Sequence, residues 1–296
     1  MKRLVPILLL LCILAGCAGE IPPAATPAPP PVVTEEVSLA VSASGIPEYT
    51  GEKYVVLNNN IPEFDQELIE IGSYEYYSQL DQLGRCGAAV ANLGQDLMPT
   101  EDRGSISHVY PSGWNQAEYD IVDGKMLYNR CHLIGFQLAG ENANEKNLIT
   151  GTRYFNVEGM LPFEDQVAEY IHSTGNRVLF RVTPMYEGEE LVARGVQMDA
   201  WSVEDGGEGV CFSVFVFNVQ PGITINYLTG ESVLEGEELP SQKETTYVVN
   251  RSSKKIHLPT CSGAESMKAE NRWEFTGTLA ELTEMGYDIC SNCLGK

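Results

Sequence analysis

Residues 128–156 read YNRCHLIGFQLAGENANEKNLITGTRYFN and crowd one histidine, two arginines and a run of asparagines into a short stretch. A neutral imidazole such as His132 can take a proton from water. An amide oxygen such as that of Asn156 is a hard ligand that can hold a divalent cation against a phosphate. The planar forks of Arg130 and Arg153 match phosphate oxygens. A histidine at a strand end facing an asparagine on a helix suits hydrolysis of a phosphodiester. Arg153 has an equally open alternative, an ion pair with a nearby acid. Glu164 would either orient metal-bound water or be a solvated helix carboxylate.

The elements that must position these groups follow from pattern. Leu133, Ile134 and Phe136 give the histidine an apolar anchor, and residues 125–136 are expected to form the strand or hairpin arm that delivers it. Gly151 is expected to open a helix with Asn156 one turn beyond Thr152-Arg153. Arg153 and Asn156 are then three residues apart on one face, and a mid-helix asparagine is a poor helix former, which favours a functional reason for it. Helix should continue over 163–172. Strands are expected at 54–57, at 177–182 and 191–196 around Glu187-Gly188, and at 210–219 (VCFSVFVFNV), the last crossing the sheet centre. Asp102-Arg103-Gly104 is followed by Ser105 rather than a histidine, and His108 is read as a structural or surface residue.

At these residues the chain resembles the DNA/RNA non-specific endonucleases of the ββα-metal (His-Me finger) type, in particular bacterial DNA-entry nucleases. Their Asp-Arg-Gly-His signature corresponds to Asn129-Arg130-Cys131-His132, with Asn129 for the aspartate and Cys131 for the glycine. Asn144-Glu145-Lys146-Asn147 corresponds to the Asn-x-x-Asn loop, and 152–156 to the metal-binding helix. The resemblance covers residues 55–232. It implies an α+β fold, a ββα-metal core on a mainly antiparallel sheet. It also implies His132 as general base and Asn156 as Mg2+ ligand, with Arg130, Asn147, Arg153 and Glu164 in support and DNA or RNA as substrate. No organic cofactor is expected. A rival reading is a surface lipoprotein that binds nucleic acid with little or no turnover.

The formal charge of −22 looks unfavourable for gripping DNA, which is usually done with Lys and Arg. Its distribution softens the conflict. Residues 157–242 hold fifteen acids against three bases, whereas 76–156 hold nine against six and 243–296 seven of each. A bound divalent cation would add positive charge at the site itself.

Residues 1–16 read as an export signal, with Lys2-Arg3 and then an apolar run too short to span a bilayer as a mature helix. Leu14-Ala15-Gly16-Cys17 resembles a lipobox, making Cys17 the lipidated N-terminus on the outer side of a bacterial membrane; a plain signal cut near Ala18 is the alternative. Residues 17–50 form an anchor and proline-rich tether. A nuclease domain (51–232), a linker (233–245) and a small α/β module (246–296) follow. In the module His257, Cys261, Cys290 and Cys293 give one nitrogen and three thiolates, a set suited to tetrahedral Zn2+. Disulfides are the alternative in an oxidising compartment. The module resembles the Ada-type metal-binding domain, with His257 where that family has its methyl-accepting cysteine, so methyl transfer is not expected. Lys254, Lys255, Lys268 and Arg272 would make it a substrate-docking module or be merely solvated. Cys86 and Cys131 are expected to pair as a disulfide bracing the segment before His132, or to remain buried thiols.

Overall fold

The computed structural model describes residues 45–294. The export signal, Cys17 and most of the tether lie outside them. In chain order, β1 (Tyr54–Val56), α1 (Gln66–Glu70), β2 (Tyr74–Tyr77) and β3 (Ala89–Leu93) come first. β4 (Tyr128–His132), α2 (Phe136–Ala139), β5 (Leu148–Thr152) and α3 (Leu161–Thr174) follow, then β6 (Val178–Met185), β7 (Gly195–Ser202) and β8 (Cys211–Phe217). Six of these strands form one antiparallel sheet in the order β1-β8-β7-β6-β3-β2, and β4 and β5 pair separately.

Period-two alternation sorts the sheet's two faces. Phe180, Val182, Val196, Met198, Ala200, Val214 and Val216 point to one side and share a core with Val167, Ala168 and Ile171 of α3. The intervening residues carry polarity: Arg181 bonds Asp199 at 2.7 Å on the other face, with Gln197 also reaching that carboxylate. Burying each Val or Ile on α3 contributes about 1.5–3 kcal/mol. That outweighs the roughly 0.7 kcal/mol conceded at a poor helix former such as Asn156.

Two expectations about strands are corrected. The 210–219 run forms β8, but β8 lies next to the edge strand β1; β7 and β6 hold the centre. It reads as continuously apolar because residues 212–217 are buried on both faces. The strand expected from 191 begins only at Gly195, because the N–H groups of Leu191 and Val192 are drawn off to the Tyr227 carbonyl.

Gly151 also departs from expectation. It sits inside β5 opposite Asn129, not at a helix start. A Cβ there would come 2.5 Å from Cys131 Sγ and 2.6 Å from the Phe155 ring, so close packing demands the glycine. The helix starts just afterwards. Thr152 Oγ1 accepts the Phe155 N–H at 3.0 Å, an N-cap arrangement, and residues 155–160 wind as a π-helix before α3 takes over.

Beyond β9 (Ile223–Ile225) and β10 (Ser232–Leu234), a second sheet is built from β11 (Thr245–Asn250), β12 (Lys255–His257), β13 (Arg272–Gly277) and β14 (Asp288–Ile289), ordered β13-β11-β12-β14. α4 (Ser262–Glu265) and α5 (Leu279–Glu284) flank it. Its core is small: Tyr247, Val249, Ile256 and Leu282 in one cluster, and Val248, Cys261, Ala264 and Cys290 in another. No helix among the described residues is long and apolar enough to cross a membrane.

Candidate active site

His132 closes β4, and the chain beyond it is pinned from behind. Asn147 is fully buried; its Oδ1 accepts the Ile134 N–H at 2.9 Å and its Nδ2 donates to the Ile134 carbonyl at 3.0 Å. Asn147 therefore fixes the backbone that carries the histidine and does not line the cleft. The imidazole is itself oriented. Its Nε2 lies 2.8 Å from the Asn142 carbonyl oxygen, which can only accept, so Nε2 carries the proton and Nδ1 keeps its lone pair. Burial, aided by the nearby Arg103 charge, pushes the imidazole pKa below its ordinary value and favours the neutral ring.

That ring opens onto a cleft of about 810 Å³ that also receives Arg103, Arg130, Arg153, Asn156 and Glu164. The cleft thus gathers the residues expected for phosphodiester chemistry, His132, Arg130, Arg153, Asn156 and Glu164, but not the supporting Asn147. Asn156 sits on the π-helical turn, a geometry frequent at functional sites. Its side-chain amide has no hydrogen-bond partner among the described residues.

Arg130 is held flat. It donates to the carbonyls of Val109 and Ser107 and lies 4.1 Å over the Trp114 ring and 5.2 Å from that of Tyr110. Its Nη1 has no hydrogen-bond partner among the described residues. Arg153 makes the ion pair left open above, to Asp123 at 2.9 Å, while still lining the cleft. Arg103 was missed: its Nη2 lies 3.3 Å from His132 Nδ1. Only the Asp-Arg-Gly triplet hinted at it, and a loop without regular structure brings it to the site.

Glu164 is buried, and desolvation, reinforced by Asp165, raises its pKa to about 8 despite a hydrogen bond from the Gly135 N–H. A Cβ on residue 135 would lie 2.8 Å from Glu164 Oε2, so glycine is needed for that approach. The folded chain therefore holds a proton here that the unfolded chain, with an ordinary value near 4.5, releases. The contribution to stability is complete below about 4.5 and is lost as pH rises toward about 8. In metal-free buffer, denaturant midpoints should fall across that window, and Glu164→Gln should flatten the fall. A midpoint series that the substitution leaves unchanged would remove Glu164 as its source.

The expected Cys86–Cys131 disulfide is absent: both are free, buried thiols. Cys86 Sγ donates to the carbonyls of Leu148 (3.2 Å) and Glu145 (3.3 Å), whereas Cys131 Sγ faces the Asn129 carbonyl and packs against Gly151. Each sulfur is satisfied by its own neighbours, and burial pushes the Cys86 thiol pKa up to about 12.

Residues 67–204 match the sequence profile of the DNA/RNA non-specific endonuclease family. Residues 67–204 are thus similar to a DNA/RNA non-specific endonuclease domain. Over 115 residues it is 36% identical to a deoxyribonuclease of Streptococcus dysgalactiae subsp. equisimilis, covering 37% of this chain and 34% of that relative's length. The structure of NucA from Streptococcus agalactiae with a magnesium ion bound aligns at a TM-score of 0.55 and 26% identity, covering 61% of this chain and 86% of that one. The Sda1 nuclease with a bound zinc ion aligns at 0.50 and 28% identity, covering 55% and 82%. The endonuclease domain is thus mixed α+β, with its large antiparallel sheet behind the cleft.

Outside it, His257, Cys261, Cys290 and Cys293 bring their ligand atoms within 4.8 Å of one another. The N–H groups of Asn292 and then Cys293 point at Cys290 Sγ and lower its pKa, and the Leu258 N–H lies 3.5 Å from Cys293 Sγ. One nitrogen and three sulfurs, gathered and supported by backbone donors, fit a tetrahedral thiophilic ion such as Zn2+.

Proposed function

We propose that the chain is an exported, metal-dependent endonuclease that hydrolyses phosphodiester bonds of DNA, with RNA as a second substrate, outside the membrane to which lipidated Cys17 ties it. One observation carries this reading: an imidazole whose Nε2–H is committed to a carbonyl offers its Nδ1 lone pair to a cleft lined by three arginines, a half-buried amide and a buried carboxyl.

In this mechanism His132 Nδ1 accepts the proton of the attacking water. In the free protein that lone pair faces Arg103 at 3.3 Å. An entering phosphate gives the guanidinium a stronger, charge-assisted partner and leaves Nδ1 to the water. Arg130, held between carbonyls and rings, presents its remaining N–H groups to the substrate backbone.

The oxygen donors of Asn156, and of Glu164 once ionised, fit a hard cation such as Mg2+. When bound, magnesium would offset charge on the phosphate and the departing oxygen. Asn147 and Asn142 keep the base in place and in one tautomer. In the C-terminal module the four gathered ligands would hold a structural Zn2+.

The testing experiment is nicking of supercoiled plasmid with and without magnesium. The extracellular setting is supported by the export signal and lipobox reading of residues 1–17.

A further inference from the structure

With acids outnumbering bases about two to one, a lysine or arginine left without a carboxylate marks a place where an external anion fits. Among the described residues, Arg103, Arg130, Lys146, Lys243, Arg251 and Lys254 lie in no ion pair. Arg103 and Arg130 belong to the cleft, and Lys146 follows it in the asparagine loop. Arg251 and Lys254 lie elsewhere, on the turn between β11 and β12.

These two cations are mounted on aromatic rings. Arg251 sits 5.5 Å from the Trp273 ring and Lys254 Nζ 4.5 Å from that of Tyr287. Trp273 and Tyr287 are themselves adjacent, with centroids 5.9 Å apart. All four side chains are exposed or half-buried. Three of the module's acids are already engaged: Asp288 by Lys255, Glu274 by Arg272 and Glu270 by Lys268. The lysines and arginine at 255, 268 and 272 are therefore spent within the module.

The surface is also held firm. β12 and β14 run parallel, Lys255 opposite Asp288 and Ile256 opposite Ile289. The Asp288 N–H donates to the Lys254 carbonyl at 2.8 Å. At the far end of the same two strands stand His257 and Cys290, two of the four candidate metal ligands. A metal there would staple the strand pair whose near end carries Lys254 and Tyr287.

We propose that Arg251, Trp273, Tyr287 and Lys254 form a second binding surface, for single-stranded nucleic acid, separate from the cleft. Cations interleaved with aromatic faces track a phosphate backbone while unstacked bases lie on the π surfaces. An insertion site for lipid would instead need aliphatic side chains on the turn, which here reads Arg-Ser-Ser-Lys. This surface rests on the nuclease reading only for its purpose, retention of substrate near the cleft; its binding chemistry is independent of cleavage.

The test is fluorescence anisotropy of a labelled oligothymidylate with the full chain carrying His132→Ala, in magnesium buffer without chelator, over a salt series. Arg251→Gln with Lys254→Gln should weaken binding on the order of tenfold and reduce the log–log salt slope by about 1.4, two single-strand phosphate contacts at about 0.7 each. The swapped pair Arg251→Lys with Lys254→Arg should restore the slope. Unchanged affinity and slope in the glutamine variant would overturn the proposal. So would unchanged oligonucleotide binding alongside lost binding to vesicles of anionic phospholipid. If the unsubstituted chain fails to nick plasmid while the anisotropy effect stands, the nuclease reading falls and this surface does not.

Discussion

His132→Ala should lower the rate of DNA cleavage by about 10²–10⁴, the usual worth of a positioned general base, without loss of the fold. The structure supplies both halves of that expectation. The Asn142 carbonyl leaves the lone pair on Nδ1, where only Arg103 faces it, and no other histidine among the described residues lines the cleft. The fold survives because Asn147 pins Ile134 from behind through backbone contacts that alanine at 132 leaves intact. Burial and Arg103 both lower the imidazole pKa, so the acid limb of the rate profile should lie below 6.5, and Arg103→Gln should move it upward. Thermal unfolding run beside the rate assay separates lost chemistry from lost structure.

The second large effect concerns the C-terminal module. Chelating Zn2+, or substituting Cys290→Ser, should unfold the second sheet while leaving the large one intact. The module's own core is eight buried residues split between two small clusters, two of them the candidate ligands Cys261 and Cys290, and β14 is two residues long with only β12 to pair with. A domain that small rarely holds together unaided. Apparent binding free energies of about 10–16 kcal/mol for structural zinc in small folded units exceed anything that core can offer. Hydrogen exchange should then show protection lost over β11 to β14 and kept over β6 to β8, with one zinc per chain before chelation. Full protection after chelation, or a disulfide among Cys261, Cys290 and Cys293 by mass spectrometry, would overturn the metal reading.

What could be read from residues alone was the local chemistry; what could not was placed by the rest of the chain. His132, Asn156 and Glu164 were legible because a base, an amide and an acid recur in one ordered stretch, and the fold brings them to one cleft. Arg103 was hidden, because a contact made across an irregular loop leaves no periodic trace. The π turn at Asn156 was misread as an ordinary helix opening at Gly151, since the packing of Cys131 and Phe155 against that glycine is tertiary. β8 looked central because it is apolar throughout, yet a strand one place from the edge is covered on both faces here too. The Cys86–Cys131 pairing failed for a similar reason: parity of cysteines says nothing about which carbonyls each thiol faces. Lys255, Lys268 and Arg272 read as candidate docking cations beside Lys254, whereas ion pairs consume those three and leave Arg251 and Lys254.

The most direct measurement is plasmid nicking by the purified chain with magnesium, with chelator, and with Asn156→Ala. Relaxed and then linear plasmid should appear only when magnesium and the amide are both present. Cleavage that persists undiminished without the cation or without Asn156, or no cleavage by the unsubstituted chain with any divalent ion, would contradict it.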